Sequence, residues 1–177
     1  MTANLSNVVI IGCGTAGANV AVELIKRRIV DRLTLIDYDI ISGATSPFEK
    51  DEIGLHKATV TRGLCLIENP NATVNAVIGK ATKDTNLNGY FVIDCRDDKT
   101  KDVRSDVRIS IDGCYLTLDC RKDYVPYDEK RYRFFREPER IAQMMDIVER
   151  YFIKEQYNYN QCECYMCTKD GVSRYVQ

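Results

Sequence analysis

Short apolar runs alternate with amphipathic segments along the first part of the chain. Residues 7–11 (NVVII) and 32–36 (RLTLI) are rich in β-branched side chains, which predicts strands buried on both faces of a parallel sheet. Between them, residues 15–28 carry apolar side chains at helical spacing and end in cationic residues, which suit the C-terminus of a helix. A strand, a helix and a strand in this order form a right-handed βαβ unit. The pattern therefore predicts the beginning of a parallel sheet.

The rest of the chain continues this alternation. A helix is predicted from about His56 to Glu68, because the residue before Pro70 disfavours helical backbone. A further helix is predicted from Pro138 to about residue 155, where apolar side chains again recur at helical spacing. Four further strands are predicted, at residues 73–78, 90–94, 107–111 and 114–119, the last two joined by a tight turn at Asp112-Gly113.

These elements predict an α/β fold with a Rossmann-like, mostly parallel sheet flanked by helices, followed by a C-terminal helix and a cysteine-containing tail. The chain has 177 residues, of which 45% are hydrophobic, and this suits one sizeable core. We expect residues 1–121 to form a nucleotide-binding core. Residues 122–177 are expected to be a C-terminal extension of the same domain, with residues 157–177 as a polar tail.

Charge and cysteine content narrow the class of protein. The 25 basic and 26 acidic residues give a net charge of -1, so no overall field favours nucleic acid or an anionic membrane. Residues 130–136 mix cations with aromatics, a composition that suits single-stranded nucleic acid, but acidic neighbours favour a solvated face or a dimer contact. No apolar run reaches the ~20 residues of a membrane span, and the N-terminus lacks a basic leader. Five of the eight cysteines are in core-like positions, which suggests reduced thiols, so we expect a cytoplasmic protein.

A complete Gly-x-Gly-x-x-Gly motif connects the first strand to the first helix. Gly12 permits a tight turn, Gly14 lets a phosphate approach the backbone, and Gly17 allows the helix to pack on the strand. Free N–H groups of the turn, which includes Thr15 and Ala16, then bind phosphate together with the positive end of the helix. The alternative is a glycine turn that serves close packing alone. The motif in this βαβ setting favours a nucleotide.

An acidic residue, Asp37, ends the second strand and is placed to accept hydrogen bonds from ribose hydroxyls. A carboxylate there disfavours a 2′-phosphate, which argues against NADP. NAD and ATP both remain open on these residues alone.

Three segments, taken in order, resemble the ThiF/MoeB superfamily, the ATP-dependent enzymes related to ubiquitin-activating enzyme. The first is VVIIGCGTAGANVAVEL followed by RLTLIDYDII, which contains the paired Asp37 and Asp39. The second, residues 51–58 (DEIGLHKA), is similar to the family's D-I-G-x-x-K-A. The third, residues 92–98 (VIDCRDD), is similar to its V-x-D-x-x-D-N. Their order and spacing agree over more than half of the chain.

The resemblance implies an adenylyltransferase that uses ATP with Mg to attach AMP to the C-terminal carboxylate of a small ubiquitin-like protein or peptide. It implies that Lys57 contacts the ATP phosphates, that Asp97 serves Mg-ATP, and that these two are the catalytic residues. It adds Asp39 to the nucleotide site formed by Asp37 and the glycine turn. It also implies a homodimer.

Three departures from the family pattern bear on this expectation and favour an alternative. The family has S-N-L-N-R-Q after the paired aspartates, whereas residues 42–48 (SGATSPF) contain no arginine. Asp98 stands where the family has asparagine, and the segment that follows is short. The alternative is therefore a non-catalytic nucleotide-binding module that senses ATP, AMP or NAD or serves as a scaffold.

Three cysteines, Cys162, Cys164 and Cys167, are clustered near the C-terminus. Many ThiF/MoeB relatives hold a structural zinc ion with paired cysteines, so the resemblance suggests a zinc site here. A structural zinc ion needs four ligands, and Cys114, Cys120, His56 or a partner subunit would have to complete the set. The alternative is a flexible cysteine-rich tail.

Overall fold

One eight-stranded sheet carries the described part of the chain. The computed structural model describes residues 5–97, 102–112, 114–120, 139–153 and 161–176. The strands lie side by side in the order β3-β2-β1-β4-β5-β6-β7-β8. Their bounds are Val8–Ile11 (β1), Arg32–Asp37 (β2), Thr73–Ile78 (β3), Phe91–Asp94 (β4), Val107–Asp112 (β5), Tyr115–Asp119 (β6), Cys162–Thr168 (β7) and Gly171–Val176 (β8).

The first five strands of this order are parallel, as the sequence predicts. β1 lies between β2 and β4, with Ile11 opposite both Ile36 and Asp94. β3 pairs with β2, and β5 pairs with β4 in the same direction. The carboxyl ends of these strands therefore meet at one edge of the sheet, where the loops that follow them come together.

Alternating side chains of β1 enter two cores of different composition. Val8 and Ile10 belong to the large core, which also contains apolar side chains of the helices. Val9 and Ile11 belong to a smaller cluster on the other face, closed by Leu87 and other side chains from loops. Burial on both faces explains why the strand reads as a continuous apolar run.

Within the described residues, three α-helices accompany the sheet, and a single turn of 3₁₀-helix lies at Lys50–Glu52. The α-helices are Thr15–Lys26 (α1), Lys57–Glu68 (α2) and Glu139–Ile153 (α3). α1 packs against both α2 and α3, so one face of the sheet is covered by helices. In α3, Met144 and Met145 are buried in the large core, as expected from their helical spacing. The α/β, Rossmann-like fold class is confirmed.

The C-terminal segment differs from the prediction. The expected polar tail contains the antiparallel hairpin of β7 and β8, and β7 pairs with β6. The sheet thus continues into the C-terminal extension. Cysteine acts here as a small buried apolar residue, because Cys162 and Cys167 are almost fully inaccessible to solvent.

Several predicted features lie outside the described residues. They are Gly113 of the tight turn, Asp98, Pro138 at the predicted helix start, and the cation- and aromatic-rich segment 130–136. α3 has 15 residues, and no helix in the described ranges is both long and apolar enough to span a lipid bilayer.

Candidate functional site

A cavity of about 250 Å³ opens at the carboxyl edge of the parallel strands. Its walls come from the loops that follow β1, β2, β3 and β4, from the first residue of α2 and from β5. The lining includes most of the residues singled out in the sequence: Gly12, Gly14, Thr15, Ala16, Asp37, Asp39, Lys57 and Asp97. The fold thus gathers into one site residues that are up to 85 positions apart, from Gly12 to Asp97.

The three glycines of the turn have different physical roles. Gly12 has a φ of 87°, and a Cβ there would meet the backbone N of Arg96 at 3.0 Å. A Cβ on Gly17 would lie 1.8 Å from the carbonyl oxygen of Gly12, which no side chain can tolerate. A Cβ on Gly14 would meet nothing within 4 Å. Gly12 and Gly17 therefore hold the turn together, while Gly14 faces open space on the cavity side.

The N-terminus of α1 faces the same space. Gly14 is its N-cap, no side chain caps it, and its first turn contains no acidic residue. The first N–H groups of a helix have no partners within the helix and carry partial positive charge. This end of α1, with Thr15 and Ala16 on the cavity wall, is therefore suited to an anion.

The carboxylate of Asp37 fixes the shape of the turn. Its Oδ2 accepts a hydrogen bond of 2.5 Å from the backbone N–H of Cys13, and its Oδ1 accepts one of 2.7 Å from that of Asp39. The side chain is largely buried yet lines the cavity. Each carboxylate oxygen has a second lone pair, so Asp37 can still accept hydrogen bonds from a ligand hydroxyl.

An ion pair lies at the mouth of the cavity. The Nζ of Lys57 is 3.0 Å from Oδ2 of Asp39, and the backbone N–H of Lys57 also donates to the carbonyl oxygen of Asp39. The lysine side chain is only 22% exposed, whereas the aspartate side chain is 47% exposed. The contact holds the ammonium group within the site.

A cluster of buried charged side chains lies at the end of β4, and one of its members, Arg96, also lines the cavity. Asp94 is almost fully buried and accepts two hydrogen bonds of 3.0 Å from the guanidinium group of Arg96 and one of 3.1 Å from its backbone N–H. It accepts a further one of 3.1 Å from Arg108. Arg96 also donates to Asp102 at 3.1 Å. Asp97, the predicted magnesium-associated residue, follows at the cavity wall and is exposed.

Sequence reasoning did not assign roles to three other residues of the lining, Tyr38, Lys80 and Arg96. Each follows directly or closely on the carboxyl end of a parallel strand: β2, β3 and β4 respectively. That position was the available signal, because ligands of open α/β sheets bind outside the carboxyl ends of the strands.

The cysteines near the turn are poor nucleophiles. Burial raises the pKa of Cys13 and Cys95 well above the ordinary thiol value, with the charges of Asp37 and Asp94 as further causes. Burial also raises the pKa of Cys65 to about 12. A thiol with a raised pKa is protonated near neutral pH and reacts slowly.

The cysteines of β7 do not form the predicted zinc site in the described structure. Side chains alternate along a strand, so Cys162 and Cys164 lie on one face of the sheet and Cys167 on the other. Within the described ranges, no group of three or more His, Cys, Asp or Glu side chains is placed to hold a metal ion. The donor set therefore does not fit a four-coordinate zinc ion, because its cysteines do not converge.

Comparisons of sequence and of structure give different results. No family model and no curated protein sequence matches the chain. Among solved structures, E. coli MccB with ATP aligns with a TM-score of 0.64 at 18% identity, over 98% of this chain and 64% of that one. PaaA aligns with a TM-score of 0.67 at 16% identity, over 98% and 64%. E. coli tRNA N6-threonylcarbamoyladenosine dehydratase, TcdA, with ATP aligns with a TM-score of 0.58 at 18% identity, over 85% of each chain.

At these identities the likeness concerns the fold. The chain spans about 64% of the length of the MccB and PaaA structures, and MccB has also been crystallised with MccA. All three proteins belong to the ThiF/MoeB family of adenylating enzymes. The strand order and these matches agree, and the chain shares the fold of these three proteins.

Proposed function

We propose that this protein binds ATP with magnesium in the carboxyl-edge cavity and adenylates the C-terminal carboxylate of a small protein or peptide. The observation that carries the proposal is the open space at Gly14, where a Cβ would meet no atom within 4 Å. This space lies in front of an uncapped helix N-terminus. A phosphate group fits both the space and the partial positive charge.

The remaining cavity residues match the other parts of the nucleotide. Asp37 lies one strand away from the turn and has lone pairs for the ribose hydroxyls. Lys57 supplies a positive charge for the phosphates. Asp97 supplies an exposed carboxylate at the cavity wall, and Mg²⁺ bound with ATP takes one or two carboxylates together with phosphate oxygens.

The reaction needs positioning more than covalent chemistry from the protein. A carboxylate oxygen of the acceptor attacks the α-phosphorus of ATP, an acyl-AMP anhydride forms, and pyrophosphate leaves. The helix end and Lys57 stabilise the negative charge on the phosphates, while Asp37 fixes the sugar. The ATP and MccA in the MccB structures support this choice of ligand and acceptor. The proposal includes a homodimer, which the mass of the protein in solution would test.

The test compares Gly14→Ala with Gly63→Ala. Both glycines have open space where a Cβ would lie, but Gly63 is in α2 and away from the cavity. We expect Gly14→Ala to weaken ATP binding at least tenfold in calorimetry with magnesium, without lowering the melting temperature, while Gly63→Ala binds as the wild type does. Equal ATP affinity in Gly14→Ala and wild type would refute the placement of the phosphate.

Adenylation is tested separately, by ATP–pyrophosphate exchange with candidate peptide acceptors. A second function, nucleotide binding without catalysis, is favoured by two observations: Lys57 is paired with Asp39, and residues 42–48 provide no arginine. ATP binding without exchange would support that second function. A larger thermal shift with NAD than with ATP would instead overturn the choice of nucleotide.

A further inference from the structure

Tyr38 is an exposed aromatic residue on the wall of the cavity. It lies between Asp37 and Asp39, and the residue is 57% exposed. The Nζ of Lys80, which follows β3, is 5.9 Å from the centre of its ring. An ammonium group at this distance is attracted to the ring face. The contact ties the loop after β2 to the loop after β3.

The strand order places this pair at one end of the site. The phosphate turn follows β1, Asp37 ends β2, and Lys80 follows β3, the next strand along the sheet. Neighbouring strands are about 4.8 Å apart, so the loop after β3 lies on the order of 10 Å from the phosphate turn. A nucleotide with its phosphates at the turn and its ribose at Asp37 therefore directs its base towards Tyr38.

The surroundings of Tyr38 suit a flat, weakly polar group. Ile36 and Ala81 are buried, line the cavity and belong to the apolar cluster on that face of the sheet. An apolar floor with an aromatic ring at its rim excludes water from one face of a base and leaves the base edges accessible.

We propose that the ring of Tyr38 is the surface on which the base of the bound nucleotide stacks. The inference rests on the proposed function, since it takes the phosphate and ribose positions from it. Lys80 holds the ring in place through its contact with the ring face. A purine presents a larger face than a pyrimidine, so the stack favours ATP over CTP.

The experiment measures the affinities for ATP, CTP and inorganic tripolyphosphate in four proteins: the wild type, Tyr38→Ala, Tyr38→Phe and Tyr90→Ala. Tyr90 is also a partly exposed tyrosine, but it precedes β4 and lies outside the cavity lining. Stacking on an aromatic side chain contributes roughly 1–3 kcal/mol per base, which corresponds to roughly a 5- to 150-fold change in affinity.

We expect Tyr38→Ala to lose at least about fivefold in ATP affinity and to narrow the ratio of ATP to CTP affinity. Tyr38→Phe, which keeps the ring, should restore the affinity that the alanine variant loses. Tyr90→Ala should match the wild type. Tripolyphosphate, which has no base, should bind Tyr38→Ala and wild type equally.

Fluorescence gives an independent measurement. The chain has no tryptophan, so Tyr38→Trp introduces a single reporter. Its emission should change with ATP and stay constant with tripolyphosphate. If Tyr38→Ala binds ATP as tightly as the wild type with an unchanged ATP-to-CTP ratio, the stacking role is wrong and the proposed function stands. If the wild type binds no ATP, both are wrong.

Discussion

The parallel and antiparallel halves of the sheet use polar side chains in different ways. In the parallel half, Asp37 ends β2, Asp97 follows β4 and Lys57 begins α2, and these three residues line an open cavity. In the antiparallel half, Glu163 and Arg174 lie within β7 and β8 and bind each other across the two strands at 2.7 Å. Asp37 and Asp97 line the cavity, where a ligand can reach them, whereas Glu163 and Arg174 in the hairpin bind each other. The parallel half therefore contains the candidate functional site.

The largest predicted effect on the free energy of unfolding is in the glycine turn of the parallel half. Gly17→Ala places a Cβ 1.8 Å from a backbone oxygen, and neither backbone segment can move away without breaking the βαβ unit. We expect a loss of about 3 kcal/mol or more in the free energy of unfolding, measured in urea. Gly14→Ala should stay within about 0.5 kcal/mol of the wild type, because its Cβ meets no atom. Similar losses in both variants would contradict the separate roles of the two glycines.

A smaller but still large effect is expected at Asp94. Asp94→Asn removes the carboxylate that Arg96 and Arg108 share, and both guanidinium groups are at most 13% exposed. Removing one charge of a buried ion-pair network costs about 3–5 kcal/mol, and Arg96 keeps its contact with Asp102, so we expect a loss near the lower value. The control is Arg104→Ala, because the Arg104 side chain is 64% exposed and its ion pair with Asp106 should contribute less than about 1 kcal/mol. An equal effect of the two substitutions would show that the cluster is not a buried network.

The smallest predicted effect on the free energy of unfolding concerns Tyr165 in the antiparallel half, and it appears only at high pH. Burial, followed by the hydrogen bond to Glu163 and its charge, raises the pKa of Tyr165 from 10.0 to about 12. The folded protein keeps this proton while the unfolded chain loses it. The raised pKa of Tyr165 therefore stabilises the folded protein fully below about pH 10. This stabilisation is lost as the pH rises to about 12.

Tyr165→Phe should accordingly show a shallower decline in stability between pH 10 and pH 12, followed by urea unfolding at each pH. Other groups, including Cys65, contribute to the decline in both proteins. Identical slopes in the two proteins would mean that the hydroxyl of Tyr165 titrates as it does in the unfolded chain.

Local sequence signals predicted most of the parallel half. β1, the glycine turn and α1 are adjacent in the chain, and each has an unambiguous pattern, so their bounds agree with the prediction within about two residues. The candidate site followed from the same signals, because the residues that follow strands in a parallel sheet meet at one edge. That Tyr38, Lys80 and Arg96 line the same cavity became evident only from the strand order, which no single segment of the sequence contains.

The antiparallel hairpin was missed for a chemical reason. β7 reads CECYMCT, and cysteine is ambiguous between a metal ligand and a buried apolar residue. Glu163 also interrupts the apolar pattern, and its burial is possible only because Tyr165 and Arg174 bind its carboxylate. These partners are evident only once the strands are paired.

The hydrogen bonds of Asp37 have a consequence for how fast a ligand can bind. Because the N–H groups of Cys13 and Asp39 are already bound to its carboxylate, the turn has its final shape before a ligand arrives. The entropy of ordering this backbone is lost during folding and not at the encounter with the ligand. If a nucleotide binds as proposed, we expect its association to be limited by diffusion and orientation and not by a slow rearrangement of the turn.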